Sequence, residues 1–304
     1  MHDIIIIGGG PAGLTAALYA CRAGRSVLIL EKNTLGGQIT WSPKVENFPG
    51  FSSISGLELA DLMTAQATNC GAELELNEIS NISEENGVFT LSTPYGDSYS
   101  CRAVIIATGA KAKKLGLEHE DALIGAGIST CAVCDGEFFR NKVVAVNGGG
   151  NTALQEAIYL SQICSKVYVI HRRSEFRADS AVVDSAADRD NIEYILNSTI
   201  SAVHGDGKLS GVTLRSTVDG TEKELTLDGL FIAIGHEPEN GFASQLIRLD
   251  QAGYADSGED CKTIHPGIFV AGDCRKKEVR QLTTAVADGA VAALAACRYL
   301  DNAR

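Results

Sequence analysis

Apolar residues in this chain gather in short, nearly unbroken runs closed by glycine, and two of these runs open the same longer pattern. Residues 3 to 31, DIIIIGGGPAGLTAALYACRAGRSVLILE, start with four isoleucines, turn through glycines and end on a second apolar run. Apolar runs of this length suit strands covered on both faces, so the stretch predicts strand, tight turn, helix, strand. Residues 142 to 171, KVVAVNGGGNTALQEAIYLSQICSKVYVIH, predict the same four elements in the same order.

Shorter, β-branched segments with alternating polarity follow each copy, at residues 79 to 101 and 199 to 227, and predict small β-meanders. Each meander leads to an apolar strand ending in glycine, VIIATG at 104 to 109 and LFIAIG at 230 to 235. A further strand, IFVAGD at 268 to 273, precedes an apolar helix near 283 to 299. The parallel predicts an α/β fold of two Rossmann-like nucleotide-binding domains, three-layer ββα, with the second inserted into the first. The expected boundaries are 1–113 and 242–304 for the discontinuous domain and 114–241 for the insertion.

The glycines say what the two copies hold. Gly8, Gly10 and Gly13 take the three positions of a dinucleotide fingerprint. The first permits the turn, the second lets backbone approach a pyrophosphate, and the third lets helix and strand pack closely. Unpaired N–H groups at the helix start add a site for phosphate. Glu31, at the second strand's end, is placed to accept hydrogen bonds from ribose hydroxyls. Gly148, Gly150 and Ala153 repeat the fingerprint, and Gly8 to Glu31 and Gly148 to His171 both span twenty-three residues. The strand ends differ, because the second copy carries His171, Arg172 and Arg173, with Arg177 shortly after. Guanidinium groups pair a 2′-phosphate that a carboxylate would repel, so the second site is expected to prefer NADPH to NADH.

Charge and cysteine usage narrow the rest. With 26 basic and 38 acidic residues the formal net charge is −12, a field that repels nucleic acid and anionic lipid. No leader pattern or span near twenty apolar residues is evident, and the nine cysteines are mostly isolated, so a cytoplasmic protein without a membrane segment is expected. Only Cys131 and Cys134, in CAVCDG, are spaced as a motif. A C-x-x-C pair can be half a zinc site, a structural disulfide or a redox couple. No second C-x-x-C or H-x-x-H completes a zinc site, so no metal is expected, and so short a loop constrains little of the unfolded chain. Spacing and context favour the redox couple. Asp135 follows directly, and reads either as an Asp-Gly turn or as a proton donor and acceptor beside the dithiol.

Taken together, GGGPAG at 8 to 13, GGQ at 36 to 38, ENFPG at 46 to 50, CAVCDG at 131 to 136, GGGNTA at 148 to 153, HRRSEFR at 171 to 177, AGD at 271 to 273 and RQLTTA at 280 to 285 resemble the bacterial-type low-molecular-weight thioredoxin reductases along essentially the whole chain. The resemblance implies FAD in the first domain, held by Gly8, Gly10, Pro11, Ala12, Gly13, Glu31, Gly37, Gln38, Asn47, Thr108, Gly109, Gly272, Asp273, Arg280, Gln281 and Leu282. NADPH in the second would meet Gly148, Gly150, Asn151, Thr152, Ala153, His171, Arg172, Arg173 and Arg177. Cys134 is implied as the thiol nearest the flavin, Cys131 as the one that attacks thioredoxin, and Asp135 as the acid and base. A homodimer, and rotation of the inserted domain about connections near 110–118 and 236–244, are implied as well.

Asn147 and the Trp41–Ser42–Pro43 stretch depart from the family's commonest pattern. A lipoamide-dehydrogenase-like cysteine pair is missing from the GGQ region. A related flavin disulfide reductase fed by ferredoxin, or acting on another disulfide, is the alternative, and the basic cluster at 171 to 177 argues against a ferredoxin donor. A flavin redox sensor without turnover is the reading from a different class.

Overall fold

The structure, a computed structural model, describes residues 1–42 and 44–302, so Pro43 of the departing stretch lies outside the described residues. The chain forms two compact units, residues 1–111 with 237–304, and residues 112–236.

The first unit opens with β1 (His2–Ile7), α1 (Pro11–Arg22), β2 (Val27–Glu31), α2 (Gly56–Asn69), β3 (Glu73–Leu76), β4 (Asn81–Glu85), β5 (Val88–Ser92), β6 (Ser98–Ile106) and β7 (Ala110–Ala112). The second contains α3 (Glu120–Leu123), β8 (Ile128–Ser129), α4 (Ala132–Asp135), β9 (Val143–Asn147), α5 (Asn151–Ser161), β10 (Lys166–Ile170), α6 (Ser180–Ala187), β11 (Ile192–Ile195), β12 (Ser198–Gly205), β13 (Leu209–Ser216), β14 (Glu222–Thr226) and β15 (Gly229–Ile232). The chain then adds β16 (His236–Pro238), β17 (Ile268–Val270) and α7 (Leu282–Asn302). Among the described residues no helix is long and apolar enough to cross a membrane.

In the first unit β3, β2, β1, β6, β5 and β4 lie side by side, and β17 joins along β6. β6 serves two purposes. Its first half pairs antiparallel with β5, Phe89 opposite Cys101, and its second half runs parallel to β1 and β17, Ile5 and Phe269 each in register with residues of Val104–Ile106. The last strand of the meander expected at 79 to 101 and the strand expected from 104 are therefore one continuous strand, because SYSCRAVII contains no glycine or proline to interrupt it. In the second unit the equivalent strands are separate. The β12–β13–β14 meander is its own sheet, while β11–β10–β9–β15–β8 form a parallel one. Leu227-Asp228-Gly229 makes the break. The Asp228 carboxylate accepts from Val143 N–H, and a Cβ on Gly229 would sit 2.5 Å from the Phe139 ring.

The isoleucine run is buried on both sides, which is why it does not alternate. Ile4, Ile6 and Ile29 face a layer of small residues from α1 and α7, including Ala16, Ala20, Ala292 and Ala296. Ile5, Ile7, Leu28 and Leu30 face the meander side with Ile82, Phe89 and Leu91. Gly289 lets α7 lie against α1, since a Cβ there would come 2.2 Å from the Ala12 carbonyl oxygen. The second unit repeats the scheme, with Ala153, Leu154 and Ala157 of α5 on one face of β9–β10 and Ile200, Val212 and Leu214 of the meander on the other.

Residues 237–241, grouped with the insertion in the sequence reading, pack with the first unit. Glu239 takes Lys32 at 2.6 Å and Lys111 at 3.1 Å, and the Asn240 amide donates to the carbonyls of Gly253 and Cys274. Those contacts pull the boundary back to His236/Glu237.

Candidate active site

In the first unit the fingerprint residues converge beyond the C-terminal ends of β1, β6 and β17. Gly8 has φ +109°, and a Cβ there would lie 2.3 Å from the Ala107 carbonyl oxygen, beside Thr108. Only glycine tolerates both conditions. A Cβ on Gly13 would stand 1.9 Å from the Gly8 carbonyl oxygen, which fixes α1 against the turn. Gly10 is different: none of the described residues lies within 4 Å of its hypothetical Cβ. It is the N-cap of α1, with Pro11 at the first helical position and no side chain capping the helix. The N–H groups of that first turn are thus left for an outside acceptor, as a pyrophosphate requires.

The other first-unit candidates gather around this turn. Gly37 comes to 3.4 Å from Gly10, Gly109 to 3.8 Å from the Gln38 amide, and Gly272 to 2.9 Å from the Ala12 methyl, each measured from an added Cβ. Gln38 donates to the Ala110 carbonyl, Thr108 donates to Asn240, and Asn47 donates to Gln281 at 3.4 Å, one residue before Leu282 opens α7. Arg280 donates to the Asp273 carbonyl and stacks over the Tyr254 ring at 4.2 Å.

Two carboxylates bear on what this cradle holds. Glu31 is buried, with one oxygen accepting from Gly9 N–H at 2.7 Å and the other from Asn33 N–H at 2.8 Å. It lines a cavity of about 280 Å³ with Gly8, Lys32, Asn77 and Thr108. Asp273 has a buried Oδ1 without a hydrogen-bond partner among the described residues. Burial raises the Asp273 pKa, with Lys277 and Arg280 opposing. An unpaired buried oxygen just beyond the C-terminal end of β17 is what a sugar or ribityl hydroxyl would satisfy. The residues present fit FAD.

The same loop is braced from behind. The buried Asp288 carboxylate accepts from Gly272 N–H, Arg275 and Lys277 at 2.8 to 3.0 Å, holding the Gly272–Asp273 turn.

In the second unit, α5 again begins at a glycine N-cap, Gly150, with no side-chain cap and open space at its Cβ position. Gly148 packs against Ala153 and the Ala233 carbonyl. Asn151 and Asp179 bond reciprocally, Asn151 Nδ2 donating to the Asp179 carboxylate and Asp179 N–H to Asn151 Oδ1, both at 2.8 Å. The Asn151 side chain is thereby committed to joining α5 and α6, while Thr152 remains exposed.

His171 behaves differently from the arginines around it. It is buried under Gly149, where a Cβ would strike its ring at 2.2 Å, stacks on Phe176 and meets the Glu175 carbonyl at 3.1 Å. Burial lowers its pKa, the Glu175 carbonyl opposes, and Arg177, Arg172 and Arg173 push it down further, so the ring is neutral. Arg177 N–H donates to the Gly149 carbonyl, fastening the loop to the glycine turn. Arg172, Arg173 and Arg177 are exposed and form no ion pair among the described residues. Three free guanidinium groups beside a dinucleotide turn fit a 2′-phosphate.

Cys131 and Cys134 are joined as a disulfide, with Cα atoms 5.3 Å apart. Cys131 is the N-cap of α4, and its sulfur accepts from Cys134 N–H at 3.2 Å. Asp135, on the same turn, accepts from the Ser129 hydroxyl at 2.7 Å, and Ser129 Oγ in turn accepts from Cys131 N–H at 3.1 Å. Burial raises the Asp135 pKa, and the Ser129 hydrogen bond opposes it. The group thus sits closer to neutrality than a surface aspartate, as an acid and base for thiol chemistry should. Gly136 lets the turn seat against α5, since a Cβ would lie 3.0 Å from Tyr159 and Ile163. Among the described residues no three His, Cys, Asp or Glu side chains are grouped to hold a metal.

Sequence reasoning missed Ser129, Lys32, Asn77 and Asp288. Ser129 stands two residues before the first cysteine and Lys32 directly follows Glu31, faint signals both; Asn77 and Asp288 reach the site through folding alone.

The sequence profile of a family described as pyridine nucleotide-disulphide oxidoreductase matches residues 2–289. A protein named thioredoxin reductase from Listeria monocytogenes is 43% identical over 303 residues, spanning 99% of this chain and 95% of that one. A protein of Mycobacterium leprae named bifunctional thioredoxin reductase/thioredoxin is 41% identical over 302 residues, spanning 99% of this chain and 66% of that one. The crystal structure of thioredoxin reductase from Streptococcus pyogenes matches with a TM-score of 0.94 at 40% identity, covering 99% of each chain.

Proposed function

The chain belongs to the pyridine nucleotide-disulphide oxidoreductase family, and on that premise we propose that it is an NADPH-dependent thioredoxin-disulfide reductase. The observation that carries the reading is the Cys131–Cys134 disulfide, set beside the half-buried Asp135 carboxyl in a unit that has its own dinucleotide turn. FAD, when bound, supplies the two-electron link between a nicotinamide and a disulfide.

The residues divide the work. Gly8, Gly10, Pro11, Ala12 and Gly13 admit the cofactor's pyrophosphate, and Glu31 is assigned to the adenosine ribose. Gly37, Gln38, Asn47, Thr108 and Gly109 border its middle. Gly272 and Asp273 hold the ribityl stretch, while Arg280, Gln281 and Leu282 lie toward the ring. Gly148, Gly150, Asn151, Thr152 and Ala153 form the NADPH turn, with Arg172, Arg173 and Arg177 as the 2′-phosphate clamp and neutral His171 as their support.

Cys131 is assigned as the attacking thiol. Ionised, it keeps the Cys134 N–H hydrogen bond seen for its sulfur, and hydrogen bonding to the charged form favours that form. Cys134 is assigned to exchange electrons with the flavin. Asp135, oriented by Ser129, gives a proton to the sulfur that leaves and takes it back when the pair closes. Rotation of the inserted unit belongs to the reading, so that dithiol and NADPH use the flavin in turn. A homodimer and a cytoplasmic location belong to it through the resemblance alone.

Thioredoxin as acceptor is supported by the names of the relatives and by the Mycobacterium leprae protein, whose name joins both activities in one chain. The unpaired arginines favour NADPH over a ferredoxin donor. The experiment is steady-state NADPH oxidation by the purified yellow protein with a panel of oxidised thioredoxins. Sustained turnover with at least one thioredoxin is expected; stoichiometric reduction that stops after one equivalent identifies a sensor instead.

A further inference from the structure

Opening a disulfide needs protons as well as electrons, and the Cys131–Cys134 turn touches a second carboxyl besides Asp135. Glu156, on α5, accepts a hydrogen bond at 3.3 Å from Ala132 N–H, the amide bonded directly to the Cys131 carbonyl carbon. Its other oxygen, Oε2, is buried and has no hydrogen-bond partner among the described residues. A glutamate whose only task was to hold Ala132 would gain nothing from burying that oxygen unpaired, because an ionised buried oxygen without a donor is costly.

We propose that Glu156 is a further positioning residue of the redox pair: it fixes the turn through Ala132 and, by the charge on its carboxyl, sets how readily the opened cysteines ionise. The inference rests on the dithiol reading. Two electrons, from NADPH by way of the flavin or from dithiothreitol in a test, break the S–S bond, and two protons complete two thiols. With only one proton taken up, one sulfur stays a thiolate. An ionised Glu156 disfavours that thiolate and a neutral one tolerates it, so the second proton is shared between sulfur and carboxyl.

Burial pushes the Glu156 pKa up to about 7, with the Ala132 N–H bond opposing, so its charge changes in the range where the pair works. The titratable groups on α4, packed against it, are Cys131, Cys134 and Asp135. Neither Asp184 of α6, nor Lys166 and Tyr168 of β10, nor Glu193 and Tyr194 of β11 contributes to the shift. Lys166 is instead paired with Glu193 at 2.8 Å. Among the described residues no cation pairs with Glu156 to hold it ionised.

The test uses the FAD-loaded protein reduced with dithiothreitol, freed of reductant, and alkylated with iodoacetamide across pH 5.5 to 9. Labelling of Cys131 and Cys134 is read by mass spectrometry of the peptide that contains them. Glu156→Gln keeps an oxygen for Ala132 N–H and removes the charge. At pH 7.5 it should label about three- to tenfold faster than wild type, with the midpoint of the profile moved to lower pH. Labelling equal to wild type at every pH would leave Glu156 a prop for the turn and overturn the proposal.

The Asp135→Asn protein, with Glu156 intact, supplies a second check that needs no Glu156 variant: its labelling rate must rise less than tenfold per pH unit between pH 6 and 8, because the thiol becomes harder to ionise as Glu156 gains charge. A full tenfold rise per unit contradicts the coupling. Thioredoxin turnover is scored separately. Absence of turnover with an intact alkylation shift rejects the proposed function alone, and turnover without the shift rejects this inference alone.

Discussion

Replacing Arg172 and Arg173 together by alanine should convert a strong preference for NADPH into a weak one. Both side chains are exposed and unpaired among the described residues, so their removal takes nothing from the packing, and the change in stability should stay within about 0.5 kcal/mol. What is lost is attraction for the 2′-phosphate. Exposed charge pairs contribute at most about 1 kcal/mol each, so two amount to about 2 kcal/mol, which is about 30-fold in affinity. His171 stays in place, because Gly149, Phe176 and the Glu175 carbonyl hold it independently of the arginines. KM for NADPH should therefore rise about 30-fold while KM for NADH changes by less than about twofold and kcat is retained. The assay is initial-rate kinetics with each nucleotide at two salt concentrations, where added salt should narrow the wild-type preference. Equal losses for both nucleotides would refute the assignment of the cluster to the 2′-phosphate.

Other consequences are equally open to measurement. Gly13→Ala puts a methyl 1.9 Å from the Gly8 carbonyl oxygen, and the purified protein should be colourless or lose FAD on desalting; wild-type flavin content would contradict the close-packing argument. Asp135→Asn should slow thioredoxin turnover by about a hundredfold without impairing flavin reduction by NADPH. Because burial raises the folded-state pKa of Asp135, its charge opposes folding above that pKa, so the asparagine variant should melt no lower than wild type at pH 8. Asp288→Asn leaves Arg275 and Lys277 as buried cations, 2% and 5% exposed, and should cost about 3 kcal/mol, lowering Tm by on the order of 10 °C. Burial pulls the Asp288 pKa up, but Arg275 and Lys277 outweigh it and leave it below the usual range. Its stabilisation is thus present above the unfolded pKa of about 3.9 and lost as pH falls through the lower folded value, so the gap between variant and wild type should close below about pH 4.

Local pattern carried most of the fold because the informative signals were local. The isoleucine run and its glycine turn specify β1 and α1 by themselves, and the second copy does the same for β9 and α5. Whether a meander merges with the central strand was less visible, since it turns on Asp228-Gly229 in one unit and on their lack of an equivalent in SYSCRAVII in the other. The cysteine pair, glycines and arginines were legible because their chemistry depends on spacing. His171 was legible as a member of the cluster but not as a neutral support, which follows from Gly149 lying over its ring. Glu156 and Asp288 act through contacts that the fold makes, and nothing in their neighbours along the chain announces them, whereas Ser129 had only its place two residues before Cys131 to mark it.

The most direct measurement is an anaerobic single turnover comparing wild type with Cys134→Ser, each given NADPH and then oxidised thioredoxin. Wild type should bleach its flavin, regain colour when thioredoxin is added and yield reduced thioredoxin. Cys134→Ser should bind FAD and bleach equally with NADPH, yet produce no reduced thioredoxin. Reduction of thioredoxin by the serine variant at the wild-type rate would contradict the account, because electrons would then leave the protein by a path that bypasses the Cys131–Cys134 pair.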